Sequence, residues 1–130
     1  MPEFITDVPG LCKPPEPYSY AVRAGNTLFL AGQVALDEKM QIVGTTLEEQ
    51  AEQIWKNIDL VLQHCGSNIS NIVKVTYYLQ DIRELPAEIS VRKKLFPNGH
   101  FPAVTAVQAA ALGLPGLMME VDVTAVQSNV

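Results

Sequence analysis

Charged side chains are scarce in this chain of 130 residues. Aspartate, glutamate, lysine and arginine make up 18% of it, whereas hydrophobic residues make up 48%; a typical soluble domain has about 25% charged residues. No apolar run approaches the roughly 18 residues that a membrane span requires, so we expect no membrane partner. A single domain of this size can bury a full core. The shortage of charge predicts that part of its surface is also covered, most simply by further copies of the chain.

Positive charge is scarcer still. Nine lysines and arginines stand against fourteen acids, which gives a net charge of −5. Because binding to phosphates needs a clustered excess of cations, this balance argues against a nucleic-acid partner. The one cationic cluster, residues 92–94, follows closely on Glu84 and Glu88.

Cysteine and histidine are too few and too widely spaced to suggest a metal site. Cys12, Cys65, His64 and His100 show no ligand spacing, so neither a metal nor another cofactor is expected. Cys65 lies on an apolar helical stripe and is predicted to be a buried, inert thiol. The first residues lack the basic and then apolar pattern of a secretory signal, so a cytoplasmic location is the expectation.

The apolar pattern predicts one domain over residues 1–130. Five prolines in residues 1–17 indicate an extended arm. Apolar residues from Leu47 to Cys65 recur every three or four positions and predict a helix, with a capping box at Thr45 or Thr46 and a stop at Gly66. A second helix is predicted to begin at Pro86 and to end at residues 97–99. Strands are predicted at 18–22, 27–31, 41–43, 72–79, 104–111 and 117–126.

The predicted element order is ββ(β)αβαββ, with a tight turn between the last two strands. It corresponds to an α+β fold: a two-layer sandwich of a mixed six-stranded sheet with two helices on one face. The strand at 72–79 alternates, with Val73, Val75, Tyr77 and Leu79 expected on its buried side. The alanines of residues 103–111 are small enough to let another subunit approach the sheet closely.

Two acids stand out near the end of the sequence. Glu120 and Asp122 are the only charged residues between positions 101 and 130, and both lie in a predicted strand. Acids are disfavoured in the middle of strands. They either belong to a solvated face or an edge strand, or one of them binds a substrate or water in a cleft.

Several short motifs bear on this choice. They lie at residues 17–18, 31–34, 72–76, 101–103, 114–115 and 120–122, together with the helix after Thr45. In this order and spacing they resemble the RidA/YjgF family of reactive-intermediate deaminases, also described as L-PSP endoribonuclease-like. The resemblance covers nearly the whole chain and implies a chorismate mutase-like, YjgF-like fold and a homotrimer with three ligand-binding clefts between its subunits.

The resemblance also implies site residues. Glu120 matches the glutamate that is associated with the attacking water, and Tyr18 and Gly32 match cleft positions. In active deaminases of the family an arginine follows the Phe-Pro-Ala motif and binds the substrate carboxylate, but Val104 stands at that position here. Ile89 falls where many members carry an asparagine. Loss of the arginine removes charge-assisted hydrogen bonds of roughly 1.5–3 kcal/mol each, so the usual 2-imino acids should bind badly.

Three functions follow from these residues. The first is a hydrolytic deaminase of another enamine or imine, with Glu120 holding water and Thr105 or the backbone near Gly32 orienting the substrate. The second is a non-catalytic trimer that binds a small metabolite or serves as a scaffold. The third, an endoribonuclease, is opposed by the acidic net charge. Arg92 could replace the missing cation, although an exposed position near the end of the second helix, where a cation suits the helix dipole, is the expectation.

Overall fold

The sheet of this protein is built around its last strand. The computed structural model describes residues 1–127. The strands are β1 (Glu3–Ile5), β2 (Ala21–Ala24), β3 (Thr27–Leu30), β4 (Ile72–Leu79), β5 (Ala103–Gln108) and β6 (Met119–Val126), and the helices are α1 (Leu47–His64) and α2 (Leu85–Leu95). Short 3-10 helices at Ile69–Asn71 and Ile82–Glu84 precede β4 and α2.

The six strands lie in the order β1-β2-β3-β6-β4-β5. All neighbours are antiparallel except β4 and β5, which are parallel because α2 carries the chain across between them. Both helices cover one face of the sheet and form one hydrophobic core with it. The opposite face, which we call the open face, is not covered by any element within residues 1–127. The predicted fold class, a mixed six-stranded sheet with two helices, is confirmed.

Helix α1 begins and ends where its sequence predicts. The Thr46 side chain accepts a hydrogen bond from the Glu49 amide, and the Glu49 carboxylate accepts one from the Thr46 amide, which completes a capping box. Beyond the helix Gly66 has a φ of 77°, a conformation that favours glycine. Cys65 is buried as predicted, and this burial raises the pKa of its thiol.

The identity of the sixth strand was not predicted correctly. Residues 41–43 form only an isolated bridge between Leu36 and Ile42. The additional strand is β1, in the proline-rich arm, and it pairs with β2 at the edge of the sheet. The predicted pairing of the last two strands across a tight turn is also wrong, because β4 lies between β5 and β6. Alternation along one strand reveals its faces but not its neighbours.

Two side chains face the opposite way from the prediction. A bulge between Ile72 and Lys74 turns Val73 outward, where it is 46% exposed. Ala106 pairs with the buried Tyr77 and packs against the core, so it lies on the helix side of the sheet and not on the open face. Ala103 is exposed on the open face as expected.

A buried ion pair holds α2 against the sheet. The Glu88 side chain is 1% exposed and accepts two hydrogen bonds from Arg92, which is 18% exposed and one helical turn further on. The Arg92 guanidinium also lies 5.0 Å from the centre of the Tyr77 ring. An exposed role for Arg92 in complementing the helix dipole is therefore wrong, and its charge is already neutralised.

We predict that Arg92→Leu destabilises the fold by about 3–5 kcal/mol, because it leaves the Glu88 carboxylate buried without a partner. The double variant Glu88→Leu with Arg92→Leu should recover part of this loss. Urea unfolding at a fixed protein concentration measures both.

The control is Arg83→Leu. Arg83 pairs with Asp81, but its side chain is 89% exposed, so the loss should stay below about 1 kcal/mol. Equal losses for Arg83→Leu and Arg92→Leu would contradict a structural role for the buried pair.

Candidate functional site

The candidate site begins on β6, in the middle of the sheet. Along this strand buried and half-buried side chains alternate, so Glu120 and Asp122 point to the open face while Val121 points into the core. Strand β6 is bonded to β3 on one side and β4 on the other. The edge-strand interpretation of the two acids is therefore wrong.

Glu120 lies in a broad pocket of about 580 Å³ at the end of β3. Burial raises the pKa of its carboxyl, and the nearby charge of Asp122 raises it further. Among residues 1–127, no side chain or backbone group forms a hydrogen bond with this carboxylate. A half-buried acid without an internal partner can accept a proton from water or from a ligand. The pocket is lined by Pro15, Glu16, Tyr18, Ala31, Gly32, Val34, Met40, Gly113, Leu114, Leu117 and Glu120.

Gly32 allows the Glu120 carboxylate to reach the backbone. A β-carbon at this position would lie only 3.0 Å from the carboxyl carbon of Glu120 and closer still to one of its oxygens. Any side chain at position 32 would therefore displace the acid. The structure thus brings together Gly32 and Glu120, two residues that the sequence places 88 positions apart.

Tyr18 forms another wall of this pocket. It is 42% exposed, and its ring contacts that of Tyr20 edge to face, with the centroids 6.0 Å apart. Partial burial raises the pKa of its phenol, and Cys12, Glu16 and Glu120 act in the same direction. The hydroxyl therefore stays protonated at neutral pH, in a form that can donate a hydrogen bond.

Asp122 is in a different situation, although it shares the face of Glu120. The Tyr78 hydroxyl donates a hydrogen bond to Asp122 Oδ2, at 3.4 Å. The charge of Asp122 in turn is the largest cause that raises the pKa of Tyr78. Asp122 does not line the pocket of Glu120. Asp122 therefore shares the strand face of Glu120 but lies outside its pocket and already has a hydrogen-bond partner.

The remaining predicted site residues do not line this pocket within one chain. Val104 pairs with the buried Val75, so it lies on the helix side of the sheet, opposite to Glu120, and packs against the core. Thr105 is on the open face, but its hydroxyl accepts a hydrogen bond from Lys74 Nζ at 2.7 Å. Ile89 is half-buried on α2 and does not line the pocket.

A smaller cavity of about 50 Å³ adjoins the pocket of Glu120. The two share Tyr18, Gly32, Val34 and Met40. The smaller one is also lined by Gln33, which sequence reasoning did not single out. The signal was present, because Gln33 lies inside the motif at residues 31–34, next to Gly32. We call it the inner cavity.

The part of the chain that the structure describes contains no group of three or more histidines, cysteines or acids that could hold a metal ion. Within residues 1–127, no helix combines the length and the apolar character needed to cross a membrane.

Comparison with known proteins places the chain among relatives of similar length. The model of the family described as Endoribonuclease L-PSP matches residues 11–127. A human 2-iminobutanoate/2-iminopropanoate deaminase is 35% identical over 112 residues, covering 85% of this chain and 80% of the relative. A RutC family protein of Pyrococcus horikoshii is 37% identical over 101 residues, covering 77% of this chain and 79% of the relative.

Solved structures show the same fold. Yeast Mmf1 superimposes with a TM-score of 0.90 at 29% identity, covering 98% of this chain and all 100% of that one. RidA from an Antarctic Psychrobacter species gives 0.86 at 27% identity, covering 95% and 99%. On its sequence, its sheet order and these matches, the chain belongs to the RidA/YjgF family, whose family model carries the description Endoribonuclease L-PSP.

Proposed function

We propose that the protein is a hydrolytic deaminase that acts on an enamine or imine other than the small 2-imino acids, in clefts between the subunits of a cytoplasmic homotrimer. The observation that carries this proposal is the carboxylate of Glu120: half-buried, unpaired within residues 1–127, and enclosed by Tyr18 and Gly32. The names of several relatives support the reaction class.

The chemistry requires one proton acceptor and one water molecule. The Glu120 carboxylate takes a proton from water as the oxygen bonds to the imine carbon, the electron pair of the C=N bond moves to nitrogen, and Glu120 returns the proton to that nitrogen. The resulting carbinolamine breaks its C–N bond, which gives a carbonyl compound and ammonia. An enamine enters the same route after protonation at carbon. The raised pKa of Glu120 suits a group that must both take and return a proton.

The geometry of a single chain favours a site shared between copies. Glu120 and Val104 lie on opposite faces of one sheet, so the two positions that the resemblance assigns to one cleft cannot meet within one subunit. A second copy packed on the open face would bring its own β5 edge toward the pocket of Glu120.

The identity of Val104 carries the argument about substrate. Valine offers no hydrogen-bond donor, and Arg92 is occupied by Glu88. A substrate carboxylate would therefore lack the paired donors that a guanidinium provides. An uncharged substrate avoids this penalty.

The lack of a hydrogen-bond donor at Val104 also favours a second candidate function. A trimer that keeps the cleft but lacks the arginine could bind a small metabolite without turning it over. An endoribonuclease, which the name of the family model mentions, is opposed by the net charge of −5. Ammonia release from imines separates the first two functions.

We predict a homotrimer in solution. The open face exposes apolar side chains that a single chain cannot cover: Phe29 is 50% exposed, Val107 40% and Val126 39%. Light scattering at micromolar concentration should give three times the mass of the chain. The mass of a single chain at this concentration would contradict the shared cleft.

Glu120→Gln should lower turnover by at least about 100-fold, because the amide keeps the shape of the side chain and cannot accept the proton. Asp122→Asn is the matched control on the same face of the same strand and should change turnover little. The assay is ammonia release from a panel of imines generated in situ. If Asp122→Asn abolishes turnover and Glu120→Gln does not, the role is assigned to the wrong acid.

The raised pKa of Glu120 also predicts how pH acts on the fold. A carboxyl whose pKa is raised by folding destabilises the native state when it is ionised, and it has no such effect below its unfolded pKa. Glu120→Gln should therefore melt slightly higher than wild type at pH 7. The difference should vanish below about pH 4. A variant that melts lower at pH 7 would show that the acid stabilises the fold.

Val104→Arg should raise kcat/KM for a 2-iminopropanoate-type substrate by about tenfold or more, since it restores paired donors for the carboxylate. Val104→Met controls for size, and Val104→Lys controls for charge without the planar pair of donors. The arginine variant should exceed both in side-by-side assays. A wild-type rate equal to that of the human relative would show that Val104 does not limit activity.

A further inference from the structure

We propose that the inner cavity is a second subsite, which takes a small, uncharged polar group of the ligand, such as a carboxamide or a hydroxyl, and that Gln33 selects for it. The position of the ligand's reactive end at Glu120 rests on the proposed function. Binding in the inner cavity does not require turnover and can be tested without it.

Gln33 is mostly buried, but its side-chain amide is not sealed off and has no partner within residues 1–127. Gln33 is 6% exposed, and its backbone is fixed by two hydrogen bonds to Val121, at 2.8 and 3.0 Å. Within residues 1–127, no group bonds to its side-chain amide, which lines the inner cavity. An accessible amide without an internal partner, on a residue that is otherwise buried, can hydrogen-bond to a small ligand in the cavity.

Two neighbouring polar groups in the cavity, those of Asn57 and Tyr20, are already occupied. The Asn57 amide donates to two backbone carbonyls and accepts a hydrogen bond from Gln53. The Tyr20 hydroxyl donates to the backbone carbonyl of Cys12, at 2.6 Å. Gln33 therefore offers the side-chain amide whose donor and acceptor are both available.

Size and charge define the group that fits. A volume of about 50 Å³ has room for roughly three to five water-sized groups, which is enough for a carboxamide. No lysine or arginine lines the cavity, whereas Asp37 is among its lining residues, so an anion is disfavoured. A carboxamide both donates and accepts and can pair with Gln33 in both directions. An alkyl group of equal size would leave that amide unpaired.

The position of the cavity connects it to the candidate site. Gly32 faces the Glu120 carboxylate, and Gln33 is the next residue along the chain. Four residues line both spaces. Gln33 pairs with Val121, so its side chain lies on the helix side of the sheet, and a ligand that reaches from Glu120 to Gln33 must pass between the residues that line both spaces.

Two probes of the same shape test this proposal. Malonamide and isovaleramide are both uncharged and differ in that a carboxamide replaces an isopropyl group. Titrations followed by nuclear magnetic resonance should show that malonamide binds the wild-type protein about tenfold more tightly. It should also shift the side-chain amide signal of Gln33.

The matched variant is Gln33→Met, which keeps the length of the side chain and removes its amide. It should lose the preference through weaker binding of malonamide, while isovaleramide binds as well as before or better. Gln33→Glu, with nearly the shape of glutamine, provides a second variant if the methionine variant does not fold, and it should also bind malonamide more weakly. Equal affinity of the two probes for wild type, or a preference that survives in the folded variants, would overturn the proposal.

Glu120→Gln separates this proposal from the proposed function. The variant should retain the preference for malonamide although its turnover is lost. If the wild-type protein releases no ammonia from any imine and still prefers malonamide, the deaminase function fails and the subsite stands. If the wild-type protein turns over an imine but does not prefer malonamide, the subsite fails and the deaminase function stands.

Discussion

The structure depends on β6, whose side chains point alternately into the hydrophobic core and to the open face. Strand β6 is bonded to a neighbour on each side, and its alternate side chains complete the core. This alternation obliges Glu120 to face away from the helices, and the flanking strands prevent the backbone from moving to bring it into water. The stability of the sheet therefore offsets the free-energy cost of keeping the Glu120 carboxylate half-buried, where its pKa is raised.

The sequence predicted the elements well and their neighbours less well. Capping at Thr46 and the alternation in β4 are local signals, and the structure contains both. The bulge that turns Val73 outward and the pairing of β1 with β2 depend on partners distant in sequence, which no local pattern encodes. The turn at residues 113–116 predicted a hairpin of the last two strands, but β4 lies between them.

The residues of the candidate site also fall into those that the sequence could identify and those that only the structure reveals. Glu120 could be singled out because an acid in an apolar strand contradicts strand propensity, and the resemblance added Tyr18 and Gly32. Gln33 has no such contradiction in sequence, since a single polar residue after a glycine is ordinary; its burial without a partner is visible only in three dimensions. The opposite orientations of Val104 and Glu120 likewise appear only once the strand register is known.

The central position of β6 also has a consequence for how the chain is made. Strand β6 is synthesised after the other five strands, yet it joins β2 and β3 to β4 and β5. Until then, both β3 and β4 present an open edge, and such edges invite pairing with other chains. Closure of the sheet therefore waits for β6, and the nascent chain is exposed to mispairing at these two edges until that strand is available.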